Sequence, residues 1–252
     1  MQSFTKRVVA YKDLEGFLKH PQPPASYKYR YPIQITQMPA EQLCRVEVVQ
    51  GDTLDIAKRI KDNGTNPLIL NMACATHPGG GWKRGAAAQE ESLFYRSTYY
   101  KTLTHNYYPI LGAEIIYSTG VTVFRDSFLK ETEPWTVDFM AVAAIKDPIF
   151  NSRLSFTDYY DLTSKKIELM FQLGIAKGYE SLLLSAFGCG AYHNDPKIIV
   201  EIFNTMIQKY GKYFKTIYFG ILSIDEVQQR YYGTPRIDNY KYFSEAIEQL
   251  RE

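Results

Sequence analysis

The chain has little cysteine, no charge excess and no long apolar run, and each shortage excludes a class. Three cysteines in 252 residues, Cys44, Cys74 and Cys189, form an odd, widely spaced set with no Cys-x-x-Cys pair. That excludes a disulfide framework and a cysteine metal knuckle, and it favours a reducing compartment. With 29 basic against 27 acidic residues, overall charge gives no handle on nucleic acid or membrane surfaces. No apolar stretch reaches the roughly 18 residues needed to span a bilayer. After Lys6 and Arg7 come only Val8, Val9 and Ala10, too few for a signal-peptide core. The expectation is a membrane-free, intracellular protein, cytoplasmic, or nuclear if its source is eukaryotic. There is no internal repeat and no low-complexity tract.

What remains is the composition of a globular enzyme, with 45% hydrophobic and 22% charged residues. A chain of this length buries roughly three quarters of its surface on folding and needs no staple. Residues 1–40 hold six cations, Lys6, Arg7, Lys12, Lys19, Lys28 and Arg30, against Asp13 and Glu15; as a mild local excess, this reads as a solvated surface. Five of the twelve prolines fall between residues 20 and 39. This stretch reads as an extended arm, so the chain divides into residues 1–40, an N-terminal arm packed on the domain, and residues 41–252, the domain itself.

From Cys44 onward strands and helices alternate. Val46–Val49 reads as a strand; Asp52 and Thr53 cap a helix that stops at Asn63-Gly64. Pro67–Leu70 is a strand ending at Asn71, residues 89–104 a helix, and Ile115–Tyr117 and Val121–Phe124 two short strands. Val137–Ile145 and Ser181–Ala186 read as buried strands, residues 158–177 as a helix ending at Gly178, and Pro196–Tyr210 as another helix. Phe214–Leu222 is a strand and Tyr242–Leu250 a terminal helix. The pattern predicts an α/β fold, a mixed and largely parallel sheet with helices on both faces, whose ligand gathers at loops leaving the strand C-termini.

Two such loops carry chemistry. The first runs from Asn71 through Gly79-Gly80-Gly81 to Gln89-Glu90-Glu91. Its four glycines and five alanines remove side chains where a ligand approaches the main chain, and two adjacent carboxylates open the next helix. Taken singly, triple glycine reads as a turn and the acids as favourable neighbours of a helix dipole; the combination points to a site. The second, Phe187-Gly-Cys-Gly-Ala-Tyr-His-Asn-Asp-Pro196, puts Gly188 and Gly190 between a strand and a helix with Pro at its first position, an anion cradle. Cysteine amid glycines, as at Cys189, is more often a small loop residue than a nucleophile. His77 and His193 lack the spacing of metal ligands. Arg125 and Lys83 read as phosphate contacts or surface charges, and Trp82 as a shield or a core anchor. Most of the 21 tyrosines are packing residues.

These residues resemble the microbial-type poly(ADP-ribose) glycohydrolases, macrodomain-fold enzymes marked by Gly-Gly-Gly, six to eight residues, then Gln-Glu-Glu. The likeness extends to Asn71-Met-Ala, Ser185-Ala-Phe-Gly-Cys-Gly-Ala-Tyr and Asn194-Asp-Pro, and covers about residues 44–225. It implies a three-layer α/β/α macrodomain-like sandwich that hydrolyses ribose-ribose O-glycosidic bonds of ADP-ribose chains, acting as a monomer with no cofactor and no metal. By the same resemblance Glu91 is the catalytic acid and Glu90 its neighbour, hydrogen-bonding ribose hydroxyls. Asn71 and Gln89 belong to the substrate site, Asn71 positioning the distal ribose, and Gly79, Gly80 and Gly81 pass under the ribose being released. Gly188, Cys189, Gly190 and Ala191 lie along the diphosphate, and Tyr192 stands where related enzymes carry Phe against the terminal ribose. The acid must be lifted above the ordinary ~4.3 of a glutamate to work near neutrality. Two other readings stay open, a non-catalytic ADP-ribose-binding macrodomain and a hydrolase of mono-ADP-ribosyl groups on protein or nucleic acid.

Overall fold

The computed structural model describes residues 25–39, 43–150, 154–223 and 238–248, and the Lys6–Ala10 stretch and the residues beyond 248 lie outside these. Seven strands form one sheet: β1 (Ala25–Arg30), β2 (Arg45–Gln50), β3 (Leu68–Met72), β4 (Glu114–Arg125), β5 (Glu131–Val142), β6 (Ser181–Leu184) and β7 (Thr216–Ile221). Their order is β1-β4-β5-β3-β6-β7-β2. The pairs β5-β3, β3-β6, β6-β7 and β7-β2 are parallel, while β1-β4 and β4-β5 are antiparallel.

The helices are α1 (Thr53–Asp62), α2 (Gln89–Arg96), α3 (Tyr99–Thr102), α4 (Phe156–Ala176), α5 (Pro196–Tyr210) and α6 (Asn239–Glu248). Side chains of β3 alternate between the two faces, as a strand covered on both sides requires. Leu68 and Leu70 pack with the layer of α4, α5 and α6; Ile69 packs with the layer of α1, α2 and α3. The result is the three-layer α/β/α sandwich with a mixed, largely parallel sheet. Full burial of each Leu or Phe in these layers contributes about 1.5–3 kcal/mol, and the described core contains nineteen buried Leu and Phe among some fifty buried apolar side chains.

Three local departures from sequence expectation have plain causes. The stretch expected as one helix over 89–104 is broken at Ser97, which turns extended (φ −145°, ψ 172°) and bridges to Val123 of β4. Ser97 Oγ donates to Leu93 O at 2.7 Å and accepts from Tyr99 N at 3.2 Å, so the break is hydrogen-bonded on both sides. Ile115–Tyr117 and Val121–Phe124 are two ends of the single strand β4, which shifts register between Ser118 and Val121. Residues 25–30, within the stretch read as an arm, form the edge strand β1, paired with β4 from Ala25 opposite Thr119 to Arg30 opposite Glu114.

Local chemistry fixes the frame of the site. Asp52 caps α1 by accepting from Leu54 N (2.9 Å) and Asp55 N (3.2 Å). The buried Arg96 at the end of α2 then reaches Asp52 (2.5 Å) and Asp55 (2.6 Å), tying the helix that carries the two adjacent glutamates to the first turn of α1. The C-terminal ends of β3, β5 and β6 lie side by side, and the loops leaving them share one edge of the sheet.

Candidate active site

The first loop folds its glycines onto the start of α2. Gly79 and Gly80 take positive φ (72° and 53°), a backbone state that side chains disfavour. A Cβ at Gly79 would lie 2.5 Å from both Phe94 Cδ1 and Trp82 Cδ1, and one at Gly80 would lie 2.5 Å from Glu91 Oε1 and 3.3 Å from Glu90 Oε2. The missing side chain at Gly80 is therefore what lets the main chain approach both carboxylates. Trp82 is a core anchor, packed on Phe94 with ring centroids 5.3 Å apart.

Gln89, Glu90 and Glu91 occupy the first turn of α2 and divide the work. Gln89 accepts from Met72 N at 2.8 Å and donates to Leu70 O at 2.7 Å, continuing the hydrogen bonding of β3 and clamping the helix to it. Glu91 Oε1 accepts from Gly81 N at 2.8 Å. Glu90 is more enclosed: Oε2 accepts from Cys74 N at 2.8 Å, and Oε1 from Gly79 N at 3.2 Å, Asn71 Nδ2 at 3.3 Å and the Tyr108 hydroxyl at 3.4 Å. Asn71 has no exposed surface; its amide also donates to Tyr99 OH at 3.4 Å. It lies behind Glu90, to which its amide donates.

Burial pushes the Glu90 carboxyl from its ordinary 4.5 up to about 8. The Cys74 N–H opposes the rise and the neighbouring Glu91 charge adds to it. Stability follows with a definite sign. Between pH 4.5 and about 8 the folded protein holds a proton that the unfolded chain has released, so stability falls as pH rises through this window. Thermal melts are expected to show a declining melting temperature across that interval, and Glu90→Gln, which has nothing to titrate, should flatten that part of the curve. An equally steep decline in the variant would assign the slope to other groups.

The second loop, residues 185–195, is built around Asn194. Its Nδ2 donates to Ile145 O (2.8 Å), Gly188 O (3.2 Å) and Tyr192 O (3.2 Å), and its Oδ1 accepts from Tyr159 OH at 3.0 Å. Gly188 (φ 74°) packs so closely that a Cβ would lie 2.6 Å from Asn194 Nδ2 and 2.7 Å from Ala144 Cβ. Gly190 differs: a Cβ there meets nothing within 4 Å, leaving open space above the loop. Ala191 is exposed and Cys189 half-buried beside it. Asp195 caps α5 by accepting from Lys197 N at 2.9 Å, with Pro196 at the helix start. His193 (φ 52°) pairs with Asp147 (φ 49°) through Nδ1 to Oδ1 at 2.6 Å. Asp147 N also donates to Tyr192 O at 2.9 Å, so the loops after β5 and β6 are stitched together at two left-handed residues.

The two glycine loops meet at Tyr192. Its phenol lies near Cys74 and within the field of Glu90, and burial raises its pKa. Burial likewise raises the Cys189 thiol far above the ordinary thiol range, which opposes a thiolate nucleophile there. Arg125 is buried and donates to Tyr95 O at 3.3 Å, serving the packing of α2 on β4, while Lys83 is exposed beside the Trp82 ring. Among the described residues no group of three His, Cys, Asp or Glu is placed to hold a metal, and no helix is long and apolar enough to cross a membrane.

Sequence reasoning passed over Tyr99 and Tyr108, both beside Glu90. The one signal for Tyr108 is its place before Pro109 in a Tyr-Tyr-Pro run between a helix and a strand.

Residues 22–126 match the family model of the microbial-type PARG catalytic domain, a span that includes Gly79–Gly81 and Gln89–Glu91 and ends before the second loop. The fold is that of solved bacterial structures. The poly(ADP-ribose) glycohydrolase from Thermomonospora curvata is similar at 22% identity and TM-score 0.79, covering 97% of this chain and 100% of that one. The same enzyme bound to the inhibitor ADP-HPD is similar at 24% identity and TM-score 0.77, covering 96% of this chain and 99% of that one. The poly(ADP-ribose) glycohydrolase from Deinococcus radiodurans in complex with ADP-ribose is similar at 23% identity and TM-score 0.73, covering 84% of this chain and 87% of that one. No curated protein sequence matches this chain.

Proposed function

We propose that the chain is a poly(ADP-ribose) glycohydrolase of the microbial type, hydrolysing the ribose-ribose O-glycosidic bond of ADP-ribose chains with Glu91 as general acid and base. The observation that carries this reading is the approach of Glu90 Oε2 and Glu91 Oε1 to the single side-chain-free position Gly80, at the C-terminal edge of the sheet. A ribose resting on that glycine meets both carboxylates.

Glycosidic cleavage passes through an oxocarbenium-like state, so the leaving oxygen must gain a proton while the sugar becomes positive. Glu91 Oε1 is held by Gly81 N–H, which leaves Oε2 as the oxygen that carries the proton. Protonated Glu91 delivers it to the departing ribose oxygen as the bond breaks; the resulting carboxylate takes a proton from water, which adds to the sugar, and the acid is restored. Glu90, fixed by four donors, hydrogen-bonds ribose hydroxyls and sets the ring's orientation. Gly190 leaves room for the diphosphate over the second loop, with Gly188, Cys189, Ala191 and Tyr192 forming its floor and wall. The protein acts as a monomer inside the cell on ADP-ribose chains, including chains attached to proteins, and its three free cysteines suit a reducing compartment.

Incubating the protein in parallel with poly(ADP-ribose) and with a mono-ADP-ribosylated protein tests the reading. Free ADP-ribose is expected from the first and the second is expected to stay modified. Release only from the second makes it a mono-ADP-ribosyl hydrolase; ADP-ribose binding without release from either makes it a binding module.

A further inference from the structure

The segment between α3 and β4, residues 105–111, supplies one of the four donors that fix Glu90. The Tyr108 hydroxyl donates to Glu90 Oε1 at 3.4 Å. Two residues on, Ile110 N donates to Ala75 O at 2.9 Å, pinning the segment to the glycine-rich loop. Burial first, and the Glu90 charge next, raise the Tyr108 phenol well above the ordinary tyrosine range, so it remains a donor at every working pH.

The same segment is fastened from the other side by β1. Tyr107 OH donates to Ser26 O at 2.9 Å, and Lys28 Nζ donates to Pro109 O at 2.7 Å. Glu114 completes the seat: it accepts from Leu111 N at 2.8 Å and pairs with Lys28 (2.7 Å) and Arg30 (2.8 Å). An edge strand is otherwise a liability, an open row of backbone donors and acceptors. Here β1 has a use that its place at the sheet edge does not announce.

We propose that Tyr108 is a positioning residue for Glu90 and that β1 is the buttress that keeps Tyr108 in place. The inference rests on reading the site as a glycohydrolase's. Five groups face Glu90 from the elements around it: Glu91 on α2, Tyr99 on α3, Cys74 on the first loop, Tyr192 on the second, and Tyr108. Of these Tyr108 alone reaches Glu90 from the segment that β1 holds. Removing its hydroxyl takes one donor from a buried carboxylate, which disfavours the charged form and frees the side chain to turn.

The test uses the full chain with Tyr108→Phe and Tyr107→Phe. Carbon-13 NMR titration of the glutamate carboxyls, with the Glu90 signal assigned by its loss in Glu90→Gln, reads the Glu90 midpoint directly. In Tyr108→Phe the midpoint is expected to move alkaline by about half to one pH unit, the size of one hydrogen bond to a carboxylate. Tyr107→Phe, which only loosens the tie to β1, should move it the same way by less. On poly(ADP-ribose), kcat of Tyr108→Phe should fall about tenfold with KM changed less than about twofold, the mark of an interaction that matters in the transition state. An unmoved midpoint in both variants overturns the inference whatever the activity, and a moved midpoint with unchanged kcat overturns its catalytic part. A wild-type protein that releases no ADP-ribose removes the proposed function, while the midpoints still decide whether Tyr108 holds Glu90.

Discussion

Glu91→Gln is expected to lower the release of ADP-ribose from poly(ADP-ribose) by about a thousandfold while leaving ADP-ribose binding within about threefold of the wild type. The substitution is nearly isosteric, and the amide oxygen can still accept from Gly81 N–H, the bond that now fixes Oε1 at 2.8 Å. The fold of the loop therefore survives. What is lost is a dissociable proton at the oxygen proposed to face the leaving group, and general acid-base catalysis of this kind contributes roughly 10²–10⁴ in rate. Binding moves little because, in the proposed pose, the diphosphate and adenosine lie over the second loop, away from this oxygen. Calorimetry with ADP-ribose and a chain-release assay on the same preparation separate the two effects. Undiminished release would take the acid role from Glu91, and Glu90, whose carboxyl holds its proton up to about pH 8, would be next in line.

Much of this geometry is local, and local chemistry is legible in a sequence. Asp52 before an amphipathic run gives α1, and Asp195-Pro196 gives α5 its start and Tyr210 its end as read, because cap and first-turn preferences act within a few residues. Other features depend on pairings between distant residues. Ser97 leaves the helix because Val123 offers it a bridge and Thr122 O accepts from Thr98 N at 2.8 Å. Propensity over 89–104 contains no trace of that partner. The proline-rich segment becomes a strand at Ala25–Arg30 only because β4 presents a free edge. Arg125 suggests a phosphate contact by charge alone, and its burial against Tyr95 O is a fact of packing. In the site the divide is the same: glycines and carboxylates announce themselves by type and spacing, whereas Tyr108 and the clamp formed by Gln89 acquire meaning only when β3, α2 and the 105–111 segment are brought together.

Gly188→Ala and Gly190→Leu, two positions apart on one loop, are expected to fail in opposite ways. At Gly188 the backbone is left-handed (φ 74°), and a Cβ would stand 2.6 Å from Asn194 Nδ2 and 2.7 Å from Ala144 Cβ. Asn194 cannot retreat without giving up its bonds to Ile145 O, Gly188 O, Tyr192 O and the Tyr159 hydroxyl. Strain from the φ and from overpacking together costs about 2–4 kcal/mol, which for a domain of this size is a fall in melting temperature of about 10 °C. Gly190 is under neither constraint. Its φ is not left-handed and a Cβ meets no atom within 4 Å, so the leucine variant should melt within about a degree of wild type. Its side chain must instead enter the open space over the loop, where the diphosphate is proposed to lie, and ADP-ribose affinity should fall at least about tenfold, ~1.4 kcal/mol or more. Melting curves and calorimetry on both variants make the comparison. A leucine at 190 that binds ADP-ribose as tightly as glycine would move the diphosphate off this loop, and an alanine at 188 that costs no stability would mean that Asn194 is not the post around which the loop is built.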